Sequence, residues 1–190
     1  MRIKDLNKQD AIITATVELV NEIGFVSSSV SKIAKKANVS PATIYIYYKN
    51  KEDLLVSTYI EIKKKMSKAF LQNFDDTKSL KDILKVFWNN GFKFVSNNRA
   101  LFQYTEQFAN SPFSELVNQV EMEKHFEPMI KILQKGIETN IIKDVPFDIL
   151  TTFVFYPIMI LSNPKSCKNI KLDENNIDIA FNLAWDAIKN

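Results

Sequence analysis

Val30-Ser31-Lys32-Ile33-Ala34-Lys35-Lys36-Ala37-Asn38-Val39-Ser40-Pro41-Ala42-Thr43-Ile44-Tyr45-Ile46-Tyr47-Tyr48 contains two short helices and the corner between them. Val30, Ile33, Ala34 and Ala37 fall on one face at helical spacing, and Ser28 and Ser29 offer N-caps ahead of them. Asn38-Val39-Ser40 ends that helix after about two turns of regular spacing. Ser40 is then a good N-cap, and Pro41 suits the first helical position, where its missing N–H would be unpaired anyway. The next helix runs from Pro41 to Tyr47 and buries Ile44 and Tyr48. Ala34 is small where the two helices cross, and Val39 plugs the turn. Two short helices on such a turn read as a helix-turn-helix, whose second helix enters the major groove with its N-terminal residues toward base edges. Similar pieces also occur in helical bundles that touch no nucleic acid.

The flanking sequence extends the unit. Upstream, Ile12, Ala15, Thr16, Leu19, Val20 and Ile23 mark one buried face of a longer helix. Gly24 sits where that helix wants a left-handed terminal residue, with Phe25 folding back onto the last turn. Downstream, Asn50 caps a long helix and Asp53 answers it as in a capping box.

Charge follows the same division. Residues 1–70 carry 12 Lys and Arg against 7 Asp and Glu, whereas residues 71–190 carry 13 against 15. The excess lies at Lys32, Lys35, Lys36, Lys49, Lys51, Lys63, Lys64 and Lys65, the electrostatic footprint of nucleic-acid binding or of a solvated lysine-rich surface.

The stretch from Ala34 to Leu55 closely resembles the DNA-binding segment of TetR-family transcriptional regulators, I-A-x-x-A-G-V-S-x-x-T-L-Y-x-Y-F-x-x-K-E-x-L. Asn38 replaces the usual glycine, which an Asn tolerant of the left-handed region can do, and Tyr48 replaces the usual phenylalanine. The resemblance covers about 45 residues with the first helix. Over the rest of the chain it extends only to length and helical character. It implies a helix-turn-helix DNA-binding domain over residues 1–55, with the motif at about 29–48. A helical effector-binding and dimerisation domain follows over 56–190, and the fold class is all-α.

Phosphate contacts position such a protein and base contacts specify the sequence. Ser29 and Ser31, at the start of the second helix, can offer hydroxyls or backbone N–H groups to a phosphate. Tyr45, like Thr43 and Tyr47, brings a hydroxyl to the exposed side of the third helix. By resemblance, Thr43, Tyr47 and Lys51 match positions that grip the backbone, while Ser40, Pro41, Ala42 and Ile46 fall where family members read bases. No Arg, Gln or Asn lies between Ser40 and Tyr48, so bidentate readout from this helix is unavailable. Apolar and shape readout of A·T-rich half-sites is expected.

From Leu80 on, helices are expected over Leu80–Ser96, Arg99–Asn110, Phe113–Thr139 (broken near Pro128), Asp148–Leu161 and Glu174–Lys189. Aromatic residues crowd the first three, which suits a packed core or an apolar pocket. The resemblance implies a small-molecule cavity there. Trp88, Phe92, Phe102 and Phe126 are its candidate walls, and Gln103, Glu106, Glu121 and His125 are its candidate polar groups. The last two helices carry more apolar residues than one face needs, so a partner surface is expected, with Phe153, Tyr156, Ile160, Phe181 and Trp185 at a homodimer interface. A two-fold dimer matches a pseudo-palindromic double-stranded DNA operator.

Other functions fit less well. One cysteine, Cys167, and one histidine, His125, exclude a disulfide framework, multi-cysteine zinc sites and His-rich metal sites. Glu121 and His125 stand one helical turn apart, but a di-iron bundle needs a second histidine, so neither an enzyme nor a metal or cofactor is called for. The N-terminus has charges with no apolar run behind them, unlike a secretory signal. The greasiest stretch, Ile149–Leu161, falls short of the roughly 20 apolar residues of a membrane span. A cytoplasmic repressor, released from its operator by a small apolar or amphipathic effector, is the reading. A helical adaptor for a protein partner is the alternative.

Overall fold

α1 (Leu6–Ser27) buries Ile12, Ala15, Thr16, Leu19 and Val20 of the face marked by their spacing, whereas Ile23, expected on the same face, is exposed. α2 (Val30–Lys36) and α3 (Pro41–Tyr47) pack against it. Ile33, Ala34, Ile44, Tyr48 and Leu54 complete that small core, with Val39 half-buried beside them. α4 (Lys51–Phe70) follows, then α5 (Leu80–Asn97), α6 (Arg99–Ala109), a 3-10 turn (Pro112–Leu116) and α7 (Gln119–Lys124). α8 (Glu127–Glu138), α9 (Phe147–Leu161) and α10 (Glu174–Ile188) complete the chain. This computed structural model describes residues 6–164 and 166–190, and no strand occurs among the described residues. The charged start of the chain, residues 1–5, lies outside them. No helix among the described residues is long and apolar enough to cross a membrane.

Packing groups the chain into two units, Met1–Lys64 with Arg99–Met122, and Lys65–Asn98 with Glu123–Asn190. That grouping differs from a cut at 55/56, because α6 joins the helix-turn-helix. The Tyr104 hydroxyl donates to the Leu55 carbonyl at 2.9 Å, and Asn21 Nδ2 donates to the Ala100 carbonyl at 2.8 Å. Gln107 Nε2 donates in turn to Asn21 Oδ1 at 3.0 Å, and Tyr59 stacks on Phe108 with ring centres 4.3 Å apart. In the second unit α5 packs on α9 and α10. Gly91 permits the close approach to α9: a Cβ there would stand 2.9 Å from Ile158 Cδ1 and 3.0 Å from Phe70 Cζ.

The expected helices differ in two places. The stretch Phe113–Thr139 is the 3-10 turn, α7 and α8, with Pro128 in the first turn of α8, where its missing N–H costs nothing. Gly24 has φ 75° and ψ 169°, which is not the left-handed helix-ending conformation but an extended one open to glycine alone. It turns the chain so that Phe25 packs among Tyr104, Phe108 and Phe113, with ring centres 5.4, 6.0 and 5.6 Å away. Space is not the constraint at Gly24, since a Cβ would meet nothing within 4 Å. Gly24→Ala is therefore expected to lower stability by about 1–3 kcal/mol through backbone strain alone, measured by urea unfolding.

Candidate nucleic-acid interface

α2 ends in a Schellman arrangement. Val39 N–H donates to the Ala34 carbonyl at 2.9 Å and Asn38 N–H to the Lys35 carbonyl at 3.2 Å. Asn38 takes φ 54°, the left-handed conformation expected of the residue that stands in for glycine. Ser40 then caps α3: its Oγ accepts the Thr43 N–H at 3.1 Å and shares a 2.9 Å hydrogen bond with Thr43 Oγ1. With Ile44 and Tyr48 fixed in the core, the opposite side of α3 presents Pro41, Ala42, Tyr45 and Ile46 to solvent. Tyr45 is 55% and Ile46 41% exposed, large values for apolar side chains on a helix otherwise packed down. Ser40 is exposed, with its hydroxyl engaged in the cap.

The groups expected to grip phosphate lie at the starts of α2 and α4 and on α3. Ser29 Oγ accepts the Lys32 N–H at 3.3 Å as N-cap of α2, and Ser31 is exposed one residue into the helix. Thr43 and Tyr47 are half-buried, Tyr47 leaning toward Tyr48 with ring centres 6.3 Å apart. Lys51 Nζ donates to the Val26 carbonyl at 3.3 Å and Lys32 Nζ to the Ser27 carbonyl at 3.1 Å, so two ammonium groups gather where α1 hands over to α2. Lys32, counted in the basic excess of the sequence but not among the individual contact residues, thus stands beside Lys51. At the start of α4, Asn50 Oδ1 accepts the Asp53 N–H at 2.8 Å, as expected of the cap. Asp53 answers one residue earlier than a capping box, accepting the Lys49 N–H at 2.7 Å.

The basic excess is smaller on the surface than in the sequence. Lys36 reaches Glu22 at 2.8 Å and Glu18 at 3.4 Å, ties α2 to α1, and has its pKa raised by the Glu22 hydrogen bond first. Lys64 pairs with Glu61 at 2.7 Å. Lys63 is half-buried over the Tyr59 ring, 5.5 Å from its centre, and burial lowers its pKa.

The residues singled out for a ligand divide between the units. Phe102, Gln103, Glu106 and Glu121 belong to the first, Trp88, Phe92, His125 and Phe126 to the second. Gln103 and Glu121 are exposed, Glu106 is half-buried, and burial raises its pKa. Glu121 and His125 do not form a one-turn pair, because α7 stops at Lys124 and the chain turns at His125. The His125 carbonyl accepts from Ser67 Oγ, and Phe126 is the N-cap of α8. Trp88 is core: it packs on Phe92 and Phe181, with ring centres 5.6 and 5.7 Å away, and its Nε1–H donates to the Ile177 carbonyl at 3.2 Å. Phe92 alone of the eight lines an open cleft of about 520 Å³ in the second unit. Leu172 and Ile177 join it as apolar wall, and Lys85, Asn89, Lys93, Ser96, Glu174 and Asp178 supply the polar lining. Lys85 pairs with Asp178 across the cleft at 2.9 Å. The polar stripe Lys85, Asn89, Lys93 and Ser96, at regular helical spacing along α5, is the sequence signal for this cleft.

On the residues expected at a dimer interface, α9 exposes Phe153 (51%), Tyr156 (59%) and Ile160 (38%), in line with Ile149 at 50%. Phe181 instead faces inward at 3%, seated on Trp88, and Trp185 is half-buried with Lys81 Nζ 5.9 Å from its ring centre. The exposed large apolar residues of α10 are Ile179 and Leu183.

Comparison with known proteins bears on this arrangement. The profile of bacterial regulatory proteins of the tetR family matches residues 12–58, and that of a tetracyclin repressor-like C-terminal domain matches residues 80–189. The chain belongs to the TetR family. A fatty acid metabolism regulator protein of Bacillus subtilis (strain 168) is 30% identical over 136 residues, 70% of each chain. The crystal structure of a TetR family transcription regulator from Marinobacter aquaeolei VT8 superposes with a TM-score of 0.91 at 35% identity over the whole of both chains. That of Bacillus subtilis FadR in complex with stearoyl-CoA gives 0.76 at 25% identity, covering 94% of this chain and 98% of that one. This TetR-family chain is therefore a DNA-binding transcriptional regulator of the ligand-responsive repressor type.

The buried Tyr48 hydroxyl departs from the family's phenylalanine, and the Gln9 side chain lies near it without completing a well-formed hydrogen bond. Burial, eased in part by the Gln9 side chain, pushes its pKa up from 10.0 to about 12. The folded chain holds this proton more tightly than the unfolded one, so titration costs no stability below pH 10, and stability falls as pH rises from 10 toward about 12. Tyr48→Phe is expected to abolish that part of the alkaline loss and to raise stability at pH 7 by about 1 kcal/mol, since an unsatisfied buried hydroxyl is removed. Urea titrations at pH 7 and pH 11 check both.

Proposed function

We propose that the chain acts as a homodimeric repressor, its first 55 residues forming the operator-reading head and residues 56–190 sensing a small molecule and joining two copies. The observation that carries the dimer is the apolar stripe Ile149, Phe153, Tyr156 and Ile160 on α9, flanked by Ile179 and Leu183 on α10 and half exposed in the single chain. Six large apolar side chains on two adjacent helices cost free energy in water, and a self-complementary two-fold contact removes that cost. The dimer also supplies the second α3 that a pseudo-palindromic operator needs. Ser29, Ser31, Thr43, Tyr47 and Lys51 grip phosphates, and the exposed face of α3 meets the bases.

The effector is amphipathic, and a long-chain acyl thioester is the class favoured by the fatty acid metabolism regulator and the stearoyl-CoA complex among the relatives. The cleft beside α5 and α10 offers that chemistry one entrance, with an apolar wall at Phe92 and Ile177 and an ammonium at Lys93. α4 begins in the first unit and ends in the second, a continuous helix along which a change in the second unit reaches the head. The effector must bind the released form more tightly than the operator-bound form, or no release follows.

Three measurements test the parts. Phe153→Lys is expected to convert a sedimenting dimer into a monomer, and an unchanged profile refutes the interface. Tyr47→Phe with Lys51→Ala is expected to weaken operator binding uniformly across sequences. The double substitution also lowers the slope of log affinity against log salt by about 1 for each phosphate it leaves without its cation. Stearoyl-CoA is expected to release the operator complex where coenzyme A alone does not, and Lys93→Glu to raise the concentration required without changing operator affinity in its absence. Equal release by coenzyme A, or none by stearoyl-CoA, refutes the assigned effector class.

A further inference from the structure

Base edges in the major groove present hydrogen-bond donors and acceptors, and one apolar group, the 5-methyl of thymine. A reading helix that selects among base pairs by hydrogen bonding needs side chains with fixed donor and acceptor geometry. α3 has none: between Ser40 and Tyr48 there is no Arg, Lys, His, Asn, Gln, Asp or Glu. Its two short hydroxyls are engaged with each other. Ser40 and Thr43 share one hydrogen bond of 2.9 Å, and Ser40 Oγ also takes the Thr43 N–H, so a single free O–H remains between them. The Tyr45 hydroxyl is both donor and acceptor and does not by itself tell one edge from another. What the helix offers is a contiguous apolar surface of Pro41, Ala42, Tyr45 and Ile46, held outward because Ile44 and Tyr48 are locked in the core.

We infer that this regulator reads its operator through thymine 5-methyl groups packed on Ala42 and Ile46, and that 5-methylcytosine therefore substitutes for thymine at those positions. The inference rests on the operator-binding reading above and goes beyond a preference for A·T-rich sequence. The methyl group itself is the determinant, not the hydrogen-bonding edge of the pair that carries it. A cytosine at a contacted position lacks the methyl and binds poorly. Methylation at C5 restores an apolar group in the same place, while the changed N4 amino group meets no side chain able to reject it. Operator occupancy thereby becomes responsive to cytosine methylation.

The test uses the full-length protein and changes the DNA, so no folding defect intrudes. An operator is recovered by selection from random duplexes, and its thymines are replaced singly by deoxyuridine, which removes only the methyl. At the contacted positions each replacement is expected to weaken binding about fourfold, the transfer free energy of one buried methyl group. A cytosine pair there is expected to be weaker than thymine, and a 5-methylcytosine pair to regain the thymine affinity. Ile46→Ala, a change at an exposed site, is expected to bind the thymine and uracil operators alike at the position it contacts. Salt-dependent, sequence-selective binding with no penalty for uracil overturns methyl readout and leaves the repressor reading standing. A 5-methylcytosine pair no better than cytosine overturns it as well. Absence of any sequence-selective binding overturns both readings together.

Discussion

The corner between α2 and α3 governs what the rest of the DNA-reading unit can do. Asn38 in the left-handed conformation lets Val39 N–H close on the Ala34 carbonyl, and Ser40 restarts the chain as a helix two residues later. The direction of α3 against α1 and α2 follows from those few hydrogen bonds. It also requires Ala34 to be fully buried at the crossing and Ile44 and Tyr48 to share its core. Once that side is fixed, the composition of the opposite side becomes the composition of the exposed face. The surface chemistry of α3 is thus decided by which residues the corner leaves over.

Much of this was legible in the sequence because capping is local. Ser29, Ser40 and Asn50 each accept a backbone N–H three residues on, a geometry set by φ and ψ of the cap alone. The α3 boundaries, Pro41 and Tyr47, follow from the same short-range chemistry. Gly24 was half legible. Its positive φ follows from being glycine at a helix end, but its ψ of 169° is imposed by the aromatic site that receives Phe25, and no local pattern encodes that site.

The rest of the chain was legible as helices and not as a site. Aromatic density reads the same whether rings enclose a void or fill it. Phe87, Trp88, Phe92, Tyr104 and Phe108 are each exposed by 2% or less, and the edge contacts of Trp88 with Phe181 in one unit, and of Tyr104 and Phe108 with Phe25 in the other, join side chains distant in sequence. Helical periodicity also misleads where a helix stops early. Glu121 and His125 share a face only if α7 continues, and it ends at Lys124. On α10 an all-round apolar composition does not say which residues face inward, and Phe181 goes to the core while Leu183 stays outside.

The first unit is discontinuous along the chain, since α6 and the 3-10 turn return to it after an excursion of more than thirty residues through Lys65–Asn98. The segment Met1–Lys64 alone would leave Phe25 without its three aromatic neighbours, the Leu55 carbonyl without the Tyr104 hydroxyl, and Asn21 without its partners on α6. The reading head is therefore not a cassette. A chimeric regulator that grafts this head onto a foreign sensor must carry residues 99–122 along with it, or supply a helix with the same aromatic and amide groups. Substitutions along α6 therefore act on the packing of the first unit itself.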